Sequence, residues 1–143
     1  MRLRKQGHCA YRCEYHLVLA SKYRRKIFNP GSYAYLRELI ISFHDMLPEV
    51  EILEFNHDVD HVHVLLSIPP KMRVSDVVRL FKSHTGRLMK RQFEYMRKAY
   101  WGADGIWSDG YFVSTVGVDE AIIKRYIENQ GKEDSGQAQL ELE

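Results

Sequence analysis

His61-Val62-His63 stands inside an apolar stretch, HVHVLLSI at 61–68. If that stretch is a strand, alternation puts both imidazoles on one face and Val62, Val64 and Leu66 on the other. Two imidazoles side by side offer a divalent metal two adjacent ligands. A bare H-x-H is a weak motif, and on spacing alone two ordinary sheet histidines are the commoner reading. A second pair sits near the end of the chain. Tyr126 and Gln130 are four apart, so on a helix they share a face. The Gln130 amide oxygen suits a hard cation such as magnesium or manganese as a third ligand. The Tyr126 phenol is a nucleophile for phosphorus once its proton is drawn off or the phosphate is activated. Alone, Tyr126 reads more simply as a helix tyrosine packed beside Ile122, Ile123 and Ile127.

The elements that must position these residues follow from periodicity. CEYHLVLA at 13–20 alternates as a strand, with Cys13, Tyr15, Leu17 and Leu19 on one face. Asn29-Pro30-Gly31 is a turn, and Ser32 is the expected N-cap of a helix whose apolar positions are Leu36, Leu39, Ile40, Phe43 and Leu47, ended by Pro48. Residues 50–57 and 61–68 read as strands joined by a hairpin around Asp58 to Asp60. Ser75 opens a long helix with Val74, Val77, Val78, Phe81, Leu88 and Met96 on one stripe and Arg79, Lys82, Lys90 and Arg97 on the other. A Gly- and Asp-rich loop at 102–110 carries Trp107, which is expected to pack on the sheet edge and to need a partner for its N–H. YFVSTV at 111–116 is a fourth strand, and Asp119 caps a last helix that Gly131 ends. The expected fold is α+β: a ferredoxin-like or RRM-like antiparallel sheet with helices on one face, plus an extra C-terminal helix carrying the tyrosine. Residues 1–130 form one domain and 131–143 a polar tail.

The chain has 143 residues and a formal net charge of +2, but the charge is segregated. Residues 1–28 hold eight Lys or Arg against one Glu, and residues 71–100 hold nine against two acids. Residues 29–70 hold seven acids against one Arg, and residues 101–143 nine against three cations. The basic blocks suit a phosphate backbone, through Lys22, Arg24, Arg25 and Lys26 in the KYRRK loop and the Arg79/Lys82/Lys90/Arg97 stripe. Tyr23, Tyr95 and Tyr100 supply stacking faces nearby, while simple solvation explains a charged helix face as well. No apolar run approaches the roughly 20 residues that span a bilayer. The start, MRLRKQGHCAYRCEYH, lacks the apolar core of a secretory signal. Two cysteines, Cys9 and Cys13, in a chain long enough for its own core suit a reducing cytosol. His57 reads as a structural or surface histidine, and Asp60 as a turn residue before His61 or, less commonly, a partner for a histidine nitrogen.

Four segments taken together resemble the HUH single-tyrosine transposases of small bacterial and archaeal insertion sequences, the type-two-hundred group. They are YHLVLASKYRRKIF at 15–28, DHVHVLLSIPP at 60–70, WSDGYFVSTVG at 107–117 and IIKRYIENQ at 122–130. The resemblance implies a metal site of His61, His63 and Gln130 holding magnesium or manganese, and Tyr126 as the nucleophile. It implies cleavage and rejoining of single-stranded DNA with hairpins at element ends, through a 5′-phosphotyrosine and without ATP. No Walker-type GxxxxGK[ST] is present, in keeping with that. It implies a homodimer in which one subunit's tyrosine helix meets the other's histidines, for which a hinge at Gly117 is suited, and a cytoplasmic, nucleoid-associated protein. The competing reading is a non-catalytic single-strand or hairpin-binding module, or a repressor, on the same fold.

Overall fold

A computed structural model describes residues 3–115 and 120–135, so Gly117 and Asp119, expected as hinge and helix cap, lie outside the described residues. The chain begins with a short hairpin, β1 (Arg4–Gln6) and β2 (Cys9–Tyr11). The sequence reading did not anticipate it. Its anchor is ionic: Arg4 reaches Glu51 at 2.7 Å and Glu14 at 3.4 Å, tying the hairpin to the sheet.

The main sheet has the order β4-β5-β3-β6 and is antiparallel throughout, with β3 (Glu14–Ala20), β4 (Glu51–His57), β5 (His61–Ser67) and β6 (Phe112–Ser114). Helix α1 (Pro30–Met46) connects β3 to β4, and α2 (Val74–Gln92) with α3 (Glu94–Ala99) connects β5 to β6. This is the strand order expected of a ferredoxin-like sheet. The turn between β4 and β5 is short and closed by the Asp58 N–H donating to the His61 carbonyl at 2.8 Å.

Helix α1 starts earlier than expected because Asn29, not Ser32, caps it. The Asn29 side chain accepts from the Ser32 N–H at 3.0 Å, and the Ser32 hydroxyl accepts from the Asn29 N–H at 3.0 Å, with Pro30 at the first helical position. The long second helix begins at Val74 and breaks at Phe93, whose backbone is extended, before α3 resumes.

Leu17 and Leu19 of β3 and Val62, Val64 and Leu66 of β5 face α1 and α2 in one core with Leu36, Phe43, Phe81 and Met89. Phe43 and Phe81 meet edge to face at 5.5 Å. On the opposite face Val18 forms a second cluster with Ile123, Tyr126 and Ile127 of α4 (Glu120–Asp134). The sheet therefore has helices on both faces, α1, α2 and the short α3 on one and the C-terminal helix on the other. Helix α4 runs through Gly131 instead of ending there. A Cβ at Gly131 would meet Arg24 Cγ at 2.7 Å, so the missing side chain serves close approach to the 3-10 turn Lys22–Arg24, not helix termination.

Deleting a fully buried aromatic leaves a cavity that packed neighbours only partly fill. Phe43→Ala is expected to lower stability by about 3–5 kcal/mol, read from the urea midpoint at constant m-value.

Candidate active site on the second sheet face

Alternation along β5 and its pairing with β3 fix where the histidines point. His63 lies opposite Val18 and His61 opposite Ala20, so both imidazoles share the face that carries α4. Their ring centroids are 5.0 Å apart. His61 Nδ1 lies 2.8 Å from Asp60 Oδ1, and Arg24 Nε lies 3.4 Å from Asp60 Oδ2. A carboxylate only accepts, so Nδ1–H donates and Nε2 of a neutral His61 keeps its lone pair. Asp60 is thus the orienting partner of His61 and not merely a turn residue. Its adjacency to a candidate ligand was the available signal. His16, Glu54 and Asn56 line the groove beside His63 on neighbouring strands, and no spacing rule singled them out.

Tyr126 and Gln130 are brought together as their spacing requires, both buried on the face that carries α4. A Cβ at Gly110 would lie 2.7 Å from Gln130 Oε1 and 3.4 Å from the Tyr126 hydroxyl, so Gly110 leaves the space they use. Gln130 Nε2 donates to Glu133 at 3.1 Å. The Tyr126 ring packs on Val18 and lies 6.1 Å from Phe112. Its hydroxyl is buried and has no hydrogen-bond partner among the described residues. Burial pushes the phenol well above its ordinary pKa, and the carboxylates of Glu133 and Asp134 push it further. The turn of α4 bordering His61 is instead Ile123, Lys124, Ile127 and Glu128, around a cavity of about 440 Å³. In this arrangement the tyrosine is held neutral and away from hydrogen-bonding contact with either imidazole.

Besides its apolar contact with Val18, α4 is held by its last turn. The Asp134 carboxylate accepts from the Tyr23 N–H at 2.8 Å and the Ser108 hydroxyl at 2.9 Å. Tyr23 and Arg24 have φ of 61° and 52°, a left-handed conformation costly for side-chain-bearing residues and over-determined by these contacts. Lys82 braces the other wall, donating to the carbonyls of Ser108 at 2.6 Å, Asp109 at 3.1 Å and Gly110 at 3.4 Å, and burial lowers its pKa.

The expected phosphate-binding stripe is therefore revised. Lys82 is committed to the 108–110 loop, and Lys90 to the carbonyls of Tyr100 at 3.0 Å and Ala103 at 2.7 Å. Arg97 bonds the carbonyls of Lys90 and Arg91 at the end of α2, and Arg79 pairs with Asp76 at 3.4 Å, though both stay exposed. In the KYRRK loop Lys22 reaches Asp109 at 3.5 Å, Arg25 packs over the Tyr23 and Tyr100 rings, and Lys26 is exposed. Tyr100 is buried, its hydroxyl donating to the Lys22 carbonyl at 2.9 Å, so it offers no stacking face; Tyr23 and Tyr95 remain exposed. The Trp107 N–H finds Thr85 Oγ1 at 2.9 Å.

The donor chemistry fits a divalent cation at His61 and His63, with Asp60 fixing one tautomer. Among the described residues no third His, Cys, Asp or Glu completes a cluster.

The model of the family described as "Transposase IS200 like" matches residues 9–130. The transposase for insertion sequence element IS200 of Salmonella typhimurium is 38% identical over 139 residues, covering 95% of this chain and 88% of that protein. The ISDra2 transposase TnpA of Deinococcus radiodurans is 28% identical, covering 91% and 92%. A crystal structure assigned as a Deinococcus radiodurans transposase superposes with a TM-score of 0.77 at 29% identity, over 89% of this chain and 97% of that one. A REP-associated tyrosine transposase bound to a REP hairpin shares the fold, at a TM-score of 0.51 and 16% identity over 88% and 70%. The chain belongs to the IS200-like transposase family, whose activity is DNA cleavage and strand transfer. No described helix is long and apolar enough to cross a membrane.

A tyrosine buried without a partner ionises later than an exposed one. The phenolate absorbance attributable to Tyr126, taken as wild type minus Tyr126→Phe, is expected to be missing near pH 10, where free tyrosines titrate. The sign is set by linkage: with the folded pKa raised, the unfolded chain ionises first, so this contribution to stability is whole below pH 10 and falls above it.

Proposed function

We propose that the chain cleaves and rejoins single-stranded DNA at insertion-sequence ends through a 5′-phosphotyrosine on Tyr126. The observation that carries this is the docking of the tyrosine helix on the sheet face that bears His61 and His63. His61, oriented by Asp60, and His63 would hold magnesium or manganese, with Gln130 as the third ligand. The cation, when bound, supplies Lewis-acid charge to the oxygens of the scissile phosphate. The Tyr126 oxygen attacks phosphorus and loses its proton, the P–O3′ bond breaks, and the departing 3′ oxygen takes a proton up. Tyr126 then carries the 5′ phosphate. A second 3′ hydroxyl reverses the exchange, forming a new P–O3′ bond and returning the phenol. One phosphodiester is exchanged for one phosphotyrosine at each step, so no nucleotide triphosphate is consumed.

The buried hydroxyl adds a requirement. Tyr126 has to leave its place beside Gly110 before it can react, by release of the Asp134 anchor. We assign the released helix to the histidine pair of a second copy in a homodimer, as the family resemblance implies. The substrate is assigned as single strands with hairpins. The REP-associated relative is bound to a hairpin, and the exposed Arg25 and Lys26 loop adjoins the docked helix. Such a protein works on the nucleoid in the cytoplasm.

Incubation with single-stranded element ends and manganese is expected to give a covalent protein–DNA adduct on denaturing gels. Tyr126→Phe abolishes it, and His63→Ala or chelation lowers its rate by about 100-fold or more, the scale of losing charge stabilisation at a transition state. An adduct that persists in Tyr126→Phe refutes the nucleophile. Hairpin binding with no adduct at all establishes the non-catalytic reading, which the docked, unactivated Tyr126 favours over catalysis in the resting form.

A further inference from the structure

Trp101 is the most exposed large apolar side chain described, at 89%, on the loop after α3. The chain has only one other tryptophan, Trp107, which is buried. Trp101 lines an open cavity of about 750 Å³, within the ~300–1,000 Å³ of small-ligand sites. Tyr23, 43% exposed and held in its left-handed conformation, lines the same cavity together with Lys22, Arg25 and Asp109.

The charge at this cavity is nearly balanced. Lys22 is paired with Asp109, Lys82 serves backbone carbonyls, and Arg25 lies over the Tyr23 and Tyr100 rings with one guanidinium nitrogen donating to the Ala99 carbonyl. A site of this kind cannot draw its affinity mainly from phosphates. What it offers is the bare ring of Trp101 and the part-exposed ring of Tyr23, which already carries the cations of Lys22 and Arg25, the chemistry that holds an unpaired base and one adjoining phosphate. A base within a duplex has both faces covered by its neighbours and has none to give.

We propose that Trp101 and Tyr23 form a stacking subsite for an unpaired nucleobase of the DNA substrate, with Arg25 beside its phosphate. The assignment rests on the DNA-cleaving reading above and adds a position to it. The Tyr23 N–H also holds Asp134, so the subsite lies one hydrogen bond from the end of the tyrosine helix.

The test is tryptophan emission of the full chain during titration with octathymidylate in chelator, so that no cleavage occurs. Single strand is expected to quench the exposed, red-shifted Trp101 component, and a blunt duplex of the same length to leave it unchanged. Trp101→Ala is expected to weaken single-strand binding about 5-fold to 150-fold, the factor equivalent to the ~1–3 kcal/mol of one base–aromatic stack, with the salt slope unaltered. Trp101→Phe, which keeps a π face, restores most of that loss. The buried Trp107 emission of each variant confirms folding. An unchanged dissociation constant in Trp101→Ala, an unresponsive emission at saturating DNA, or equal quenching by duplex overturns the subsite. The covalent adduct is scored in parallel with manganese. Quenching without an adduct contradicts the cleavage reading and leaves the subsite standing; an adduct without quenching does the reverse.

Discussion

Strand β3 has to satisfy two cores at once. Leu17 and Leu19 go into the layer beneath α1 and α2, while Val18 goes into the layer beneath α4. Strand β3 also supplies the ladder partners of both β5 and β6, so it fixes the histidines and the edge on which Phe112 meets Tyr126. The site follows from this double burial. The first face is closed by ordinary helix packing and contributes stability. The second is covered by one helix that also carries Tyr126, so on the proposed mechanism stability and reactivity compete for the same side chain. Tyr126 adds to the Val18 cluster while its hydroxyl is out of water and without a hydrogen-bond partner among the described residues.

The anchor of that helix is polar and shallow by comparison with the main core. Asp134 is held by one peptide N–H and one hydroxyl, the first from a residue in a left-handed conformation. Gly131 allows Arg24 to lie against the helix, and Arg24 in turn touches Asp60, the partner of His61. The end of the tyrosine helix and the first imidazole are thus linked through one arginine. Lys82 stabilises the loop that carries Gly110, trading a surface charge for three backbone contacts. The helix is thus held by its apolar face on Val18 and by hydrogen bonds at one end, and the proposed undocking requires both to give way.

The fold was legible wherever one period dominated. The H-x-H alternation placed both histidines on one face, and the i, i+4 spacing placed Tyr126 with Gln130. The strand order followed from the βαββαβ succession. Legibility failed where a residue had two plausible jobs. Ser32 reads as a cap because it is a hydroxyl after a turn, yet Asn29 takes the cap and Ser32 the reciprocal position three residues on. Gly131 reads as a helix stop because glycine commonly is one, yet what matters there is the absence of a Cβ against Arg24, which no local pattern encodes. Lys82 and Lys90 read as a cationic stripe because helical periodicity cannot show the carbonyls of a loop some 20 residues away. The family resemblance implies roles for His61, His63, Tyr126 and Gln130, and it could not supply their arrangement in the chain.

The central claim is that Tyr126 is docked and inert in the free protein and undocks to react. Spin labels at Glu38 of α1 and Lys132 of α4, both exposed, report the position of the tyrosine helix against the rigid side of the molecule. Labelled protein diluted with unlabelled chains and trapped as the covalent DNA adduct is the sample to measure. The account predicts that the single distance of the free protein is replaced by a different one in the adduct. An unchanged distance in a fully adducted sample would contradict it.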